Sequence, residues 1–242
     1  MGPVGAMCRT CGTELRHRAR FCDGRGAPAP EPGEQAEFKQ VTVLFAGVVG
    51  SLAIASAAGA ERLREMMADV FDLAANTTRR YGGTVDKFTG DGIMALFGAP
   101  VALEDHAFRA CLTALDIQEQ IAQLTDEVQR RDVVVLRLRV GLNSGRVIAG
   151  EIGAGPTGYT AMGEEVVFAQ RMESVAPPGG VMLGESTARL VEDATMLGPT
   201  RLRRRAVRAE LTRACTRRVR DWGAFFGRTG VVPRGVAAMN RS

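Results

Sequence analysis

Apolar positions along this chain recur with two periods, and the changes of period mark out its elements. Residues 40–46 alternate as a strand and run into the small-residue turn of VTVLFAGVVGS (residues 41–51). Residues 60–81 place Leu63, Met66, Met67, Val70, Phe71 and Ala74 at helical spacing, and the pair Gly82-Gly83 stops that helix. Two β-type runs, 84–88 and 92–97, flank the tight turn Thr89-Gly90-Asp91-Gly92, which predicts a hairpin with Asp91 at its tip. A second long helix is expected over 104–130, opening with Glu104 and Asp105, where acidic side chains suit the helix N-terminus. Residues 133–141 alternate as a strand, Asn143, Ser144 and Gly145 read as a strand-end turn, and 146–152 read as a further strand. The glycine-rich stretch 150–158 reads as a loop, 164–175 as a helix, and 181–186 as a short strand entering a helix. The order β-α-β-β-α-β predicts an α+β, ferredoxin-like sheet with helices on one face.

The length of 242 residues allows one domain with a sizeable core and small appendages. The stretch 41–60 carries no charge and is long enough to cross a bilayer. Its glycine, alanine and serine content, and the strand-then-turn pattern inside it, argue for a folded element instead. With no secretory signal at the start, the expected location is the cytoplasm, with no membrane partner. Net charge is +4, but residues 201–242 hold 12 Arg against 2 acidic residues, so the rest of the chain is net acidic. Residues 199–242 therefore read as a separate basic, Arg-rich tail, poorly ordered, with Trp222, Phe225 and Phe226 inside it. A basic stripe with aromatics can bind nucleic acid, but no recognisable nucleic-acid motif accompanies it, so nucleic acid is not an expected partner.

Five unevenly placed cysteines do not make a disulfide framework. Cys8 and Cys11 form one CxxC knuckle, and Cys22 begins another in which Arg25 stands where a fourth cysteine would close the set. Residues 1–26 therefore read as a degenerate zinc-ribbon-like segment. Three thiolates leave an open position, which argues against a closed Zn²⁺ site, although His17 lies between the knuckles. Residues 27–37, rich in proline and glycine, read as a linker, and 38–198 as the main domain.

Five segments in order, VTVLFAGVVGS, YGGTVDKFTGDGIMALFG, EDHAFRA, LRVGLNSGRVIAGEIG and YTAMGEEVVFAQRM, resemble the class III adenylate/guanylate cyclase catalytic domain, nearest to bacterial adenylate cyclases. The resemblance spans roughly residues 38–195 and implies closure of ATP to cAMP and diphosphate at a site shared by two subunits. It implies two divalent ions, Mg²⁺ or Mn²⁺, held between two aspartates. The first of those positions is Gly47 in this chain and the second is Asp91, so the site is expected to be weakened. On the same basis Lys87 and Thr160 are the purine-edge pair, of the kind that suggests adenine, and Arg171 stabilises charge on the phosphates. Val167 stands where the family usually has the asparagine that orients the ribose. Read without the resemblance, Asp91 is a turn residue, Lys87 a solvated strand-end lysine, and Arg171 a helix-surface partner of Glu164 or Glu165. His106 is expected to pack or cap, and Cys111 to be a buried helix cysteine. With Gly47 and Val167 in both sites, a homodimer is expected to be weak or inactive. A heterodimer with an intact cyclase chain could complete a site. The alternative is a regulatory or dimerisation module that kept the fold and lost the chemistry.

Overall fold

The computed structural model describes residues 36–132, 134–151, 159–197, 201–204 and 209–219, with residues 8, 11–14, 16, 19 and 21–26 of the N-terminal segment. The central elements are β1 (Glu37–Val48), α1 (Ser51–Ala58), α2 (Ala60–Arg80), β2 (Thr84–Thr89), β3 (Gly92–Phe97), α3 (His106–Asp132) and β4 (Leu138–Glu151). They are followed by β5 (Tyr159–Met162), α4 (Glu164–Val175), β6 (Val181–Gly184), α5 (Glu185–Val191), β7 (Thr195–Leu197), β8 (Arg201–Arg204) and β9 (Ala209–Val219). The sheet runs β2-β3-β1-β4-β6-β9-β7, with β5 on β4 and β8 on β9. Its first four places are the ferredoxin-like order expected from the sequence. β1 is antiparallel to both β3 and β4, while β4 is parallel to β6, so the sheet is mixed.

Alternation along β1 sorts its side chains to two faces. Leu44, Ala46 and Val48 pack with Met66, Val70 and Ala74 of α2 and with Cys111, Ile117 and Ile121 of α3 in the main core. Val41, Val43 and Phe45 point the other way and pack with Met94, Leu96 and, from α4, Ala169. Helices α2 and α3 thus cover one face, and α4 lies over part of the reverse.

Four buried polar side chains are bonded in a row. His106 is buried, and its Nδ1 lies 2.7 Å from Thr42 Oγ1. Thr42 Oγ1 bonds Ser144 Oγ at 2.7 Å, and Ser144 Oγ bonds Thr187 Oγ1 at 2.9 Å. This chain of groups ties α3, β1, β4 and α5 together, and burial holds the His106 imidazole below its usual pKa. His106 therefore packs, as expected, and Cys111 is fully buried in α3.

Two expectations need correction. Asn143, Ser144 and Gly145 are not a turn: β4 runs unbroken through them, paired with Val43, Thr42 and Val41 of β1. The Asn143 amide donates to Glu165 and accepts from Ser186 Oγ, so tertiary contacts satisfy a side chain that would otherwise favour a turn. Residues 159–162 form β5, paired with 148–151, and residues 152–158 of the stretch read as a loop lie outside the described residues. The tail expected beyond 198 contributes β8 and β9, and β9 pairs with β6 through Met182↔Ala214, Leu183↔Arg213 and Gly184↔Thr212. Trp222, Phe225 and Phe226 lie outside the described residues. Among the described residues no helix is long and apolar enough to cross a membrane.

Candidate active site

The β2–β3 hairpin brings Asp91 to the end of β1. Gly47 pairs with Gly92, and the Val48 amide donates to the Asp91 carbonyl oxygen at 2.8 Å. On its other side Gly47 pairs with Arg139 of β4. Asp91 is exposed, as a turn residue at the head of β3. The two sequence positions separated by the whole of α2 are therefore adjacent in space.

Whether these residues suit a divalent ion turns on what occupies the space that Gly47 leaves. A Cβ placed on Gly47 would lie 3.1 Å from Glu173 Oε1 and 3.5 Å from its Cδ. The carboxylate of Glu173 on α4 thus lies against the place from which an aspartate at 47 would project. Burial raises the Glu173 pKa, the Arg139 guanidinium pulls it down, and the charge of Asp91 raises it further. The exposed Asp91 carboxylate and the half-buried Glu173 carboxylate are each oxygen donors of the kind Mg²⁺ or Mn²⁺ takes. The residues present fit the ion. Sequence reasoning missed Glu173, because a glutamate late in a helix reads as a surface residue.

Lys87 and Thr160 meet. Lys87 Nζ donates to Thr160 Oγ1 at 3.1 Å, and Thr160 Oγ1 donates to Asp86 Oδ2 at 3.1 Å. Lys87 Nζ also lies 3.1 Å from Asp86 Oδ2, closing a triangle. Asp86 sits at a bulge between Val85 and Lys87, and its side chain is fully buried while that of Lys87 is half exposed. The bulge re-aims Asp86 beneath the other two. Its Oδ1 has no hydrogen-bond partner. An ammonium has three donors, so Lys87 keeps one for a ligand at the surface. Asp86 was also missed by sequence reasoning, since one acidic residue in a strand carries no spacing signal.

On α4, Val167 and Arg171 are one turn apart on one face, and both are exposed. The Arg171 guanidinium sits over the Phe168 ring, 5.4 Å from its centroid. At the Val167 position the side chain offers no hydrogen bond.

The N-terminal segment brings its three sulfurs together. One ligand atom from each of Cys8, Cys11 and Cys22 lies within 4.8 Å of the others. Cys11 Sγ and Cys22 Sγ are 3.5 Å apart, and the Gly24 amide donates to Cys22 Sγ at 3.4 Å. The two knuckles turn alike, with Gly12 N–H donating to the Cys8 carbonyl and Gly26 N–H to that of Cys22. His17 lies outside the described residues.

The fold and this pairing of strand end with hairpin define a nucleotide cyclase domain. Residues 34–212 match the family model for the adenylate and guanylate cyclase catalytic domain, and the chain belongs to that family. Adenylate cyclase 1 of Rhizobium meliloti (strain 1021) is 31% identical over 144 residues, covering 59% of this chain and 22% of its own length. The chain thus spans under a quarter of that relative. The adenylyl cyclase CyaB from P. aeruginosa superposes with a TM-score of 0.73 at 26% identity, covering 78% of this chain and 100% of the other. The guanylate cyclase domain of RhGC from Catenaria anguillulae, solved in complex with GTP, gives 0.69 at 27% identity, covering 76% and 100%. Cyclase domains of this family use divalent metal ions and bind nucleotides. Adenylyl and guanylyl members resemble the chain about equally, so overall likeness does not choose the base.

Proposed function

We propose that this chain is an adenylate cyclase-type domain, taking ATP to cAMP and diphosphate, with low turnover as a homodimer. The contact between Lys87 and Thr160, held from beneath by Asp86, carries the choice of base. The lysine donates to a purine ring nitrogen, and the threonine hydroxyl takes the 6-amino hydrogen of adenine. Guanine would set its N1–H donor against the ammonium and its O6 acceptor against a threonine hydroxyl whose hydrogen is already given to Asp86. Arg171 offers its guanidinium to phosphate oxygens from the exposed face of α4. Divalent ions beside Asp91 would activate the ribose 3′-oxygen and screen the triphosphate.

Two features keep the rate low. Val167 cannot hold the ribose, and Gly47 removes the carboxylate on β1 itself. Loss of a single catalytic group costs about 10²-fold or more in turnover. A site shared with an intact cyclase chain escapes one of these losses, because that chain would lend its own two aspartates to the Lys87, Thr160 and Arg171 of this one. The second reading, a regulatory or dimerisation module without chemistry, is favoured by the same two residues.

Purified protein assayed with Mn²⁺ and either ATP or GTP decides between them. The expected result is slow cAMP formation with ATP preferred, raised modestly by Gly47→Asp, more by Val167→Asn, and further by an intact paralogue. No product with either nucleotide, and no gain from the paralogue, would leave the non-catalytic module.

A further inference from the structure

We propose that Cys8, Cys11 and Cys22 form a Zn²⁺ site of three thiolates, its fourth position open to water, and that the ion supplies the interior of the N-terminal segment. None of these residues lies in the part that matches the cyclase family, so the site stands or falls apart from the cyclase reading.

The sulfurs are already placed for one ion. All three lie within 4.8 Å of one another, and Cys11 Sγ and Cys22 Sγ are 3.5 Å apart. Two sulfurs bound to one tetrahedral Zn²⁺, each at about 2.3 Å, stand about 3.8 Å apart. Closing the cluster onto an ion therefore asks for shifts of about 1 Å at most. Thiolates select Zn²⁺ over Mg²⁺ and Ca²⁺.

Two backbone turns of one shape build the cluster. In each knuckle the amide four residues after the leading cysteine donates back to its carbonyl, Gly12 to Cys8 at 2.8 Å and Gly26 to Cys22 at 2.7 Å. Gly12 and Gly26 both take positive φ, 71° and 61°, which glycine adopts without strain. The second turn stands against the first through Gly24. A Cβ there would lie 2.7 Å from Thr13 Oγ1 and 3.7 Å from Cys11 Sγ, so the glycine permits the approach. The Gly24 amide donates to Cys22 Sγ at 3.4 Å, a bond that favours the thiolate form.

The interior of the segment points to a metal independently. Cys8 and Cys22 are buried, with Cys11 and Ala19 packed against them, while the aromatic Phe21 is 62% exposed. Among the described residues the segment thus has no apolar core beyond the sulfurs and one alanine. A unit this small needs a disulfide or a metal to hold its turns. A disulfide would use two of the three sulfurs and strand the third, whereas one ion uses all of them. In the first knuckle the residue three after the leading cysteine is Cys11; its counterpart in the second is Arg25, exposed and without an acceptor to offer a metal. The nearby Asp23 carboxylate is taken by Arg16, which donates to both of its oxygens at 2.7 Å. The fourth position therefore falls to solvent.

Zn²⁺ binding by the full chain, metal-free and reduced, in competition with a chromophoric chelator, tests this. Saturable binding of one ion per chain is expected, weakened at least about tenfold by Cys8→Ser, Cys11→Ser or Cys22→Ser. Cys111→Ala, in α3, and His17→Ala should bind as the unaltered chain does. Co²⁺ in place of Zn²⁺ should show the near-ultraviolet thiolate-to-metal band, weaker in each serine variant. Zn²⁺ should also slow tryptic cleavage at the arginines of residues 8–26, and Cys22→Ser should remove that protection. Thermal melts of the cyclase domain show that each variant folds. No saturable binding, or binding that no serine substitution weakens, would overturn the inference and leave the cyclase reading in place. A loss in His17→Ala equal to that in Cys22→Ser would overturn the open fourth position.

Discussion

Lys87 on β2 donates to the Thr160 hydroxyl on β5 at 3.1 Å, although 73 positions separate them. The buried Asp86 carboxylate accepts from both and fixes their distance from each other. The pair proposed to select the base is thus a three-residue device with a buried anchor.

Removing the anchor should loosen selection more than it slows chemistry. Asp86→Asn keeps the shape but weakens the hold on the ammonium, and it should raise KM for ATP and reduce the ATP-to-GTP preference with little change in kcat. Lys87→Ala removes a charged donor, and its kcat/KM for ATP should fall about 10–100-fold. Steady-state kinetics with both nucleotides check both. An Asp86→Asn change that lowers kcat alone would show that Asp86 does not act through base binding.

His106 should make the fold acid-sensitive. Its folded pKa lies below the usual value of about 6.5, chiefly through burial. A depressed pKa means that the unfolded chain takes up the proton first. The stability contributed by the neutral imidazole is therefore present above about pH 6.5 and lost as pH falls toward the folded value. His106→Asn keeps a polar partner for Thr42, and should flatten the dependence of Tm on pH between about 5 and 7, whatever it does to Tm at neutral pH. An unchanged slope would place the acid sensitivity elsewhere.

The partnership of β6 with β9 sets where the chain can be shortened. Ending it at residue 199 removes β9 and exposes the edge of β6 along Met182–Gly184. An unpaired apolar edge invites association, so this truncation should lower Tm and aggregate, seen in light scattering. Ending it after Val219 keeps the ladder and should melt as the full chain does. If both truncations behave alike, β9 contributes nothing to the fold.

The three gathered cysteine sulfurs leave room for a fourth ligand. Cys8, Cys11 and Cys22 already converge, and Arg25 occupies the missing knuckle position. Arg25→Cys should complete a tetrahedral set and tighten Zn²⁺ binding by at least about tenfold in competition with a chromophoric chelator. Equal affinity of variant and unaltered chain would mean that the second knuckle does not point its last residue inward.

Much of this protein is legible in one dimension. The helix over 60–80, the hairpin around Asp91 and the helix over 164–175 follow from local period and turn residues, since each buries one face against whatever sheet is nearby. The order of those elements carries the ferredoxin-like sheet, and Asp91, Lys87, Thr160 and Arg171 stand out from motif context. What escaped was decided by contacts between distant segments. Asn143–Gly145 looks like a turn until Glu165, Ser186 and β1 satisfy it as strand. An arginine-rich run looks unpacked until the open edge of β6 gives β9 a ladder to join. Asp86 and Glu173 look like ordinary surface carboxylates, because nothing in linear spacing records that a bulge turns one under Lys87 or that the packing of α4 sets the other against Gly47. Local periodicity encodes which face of an element is apolar; it does not encode which charged group the packing of two elements brings into the gap between them.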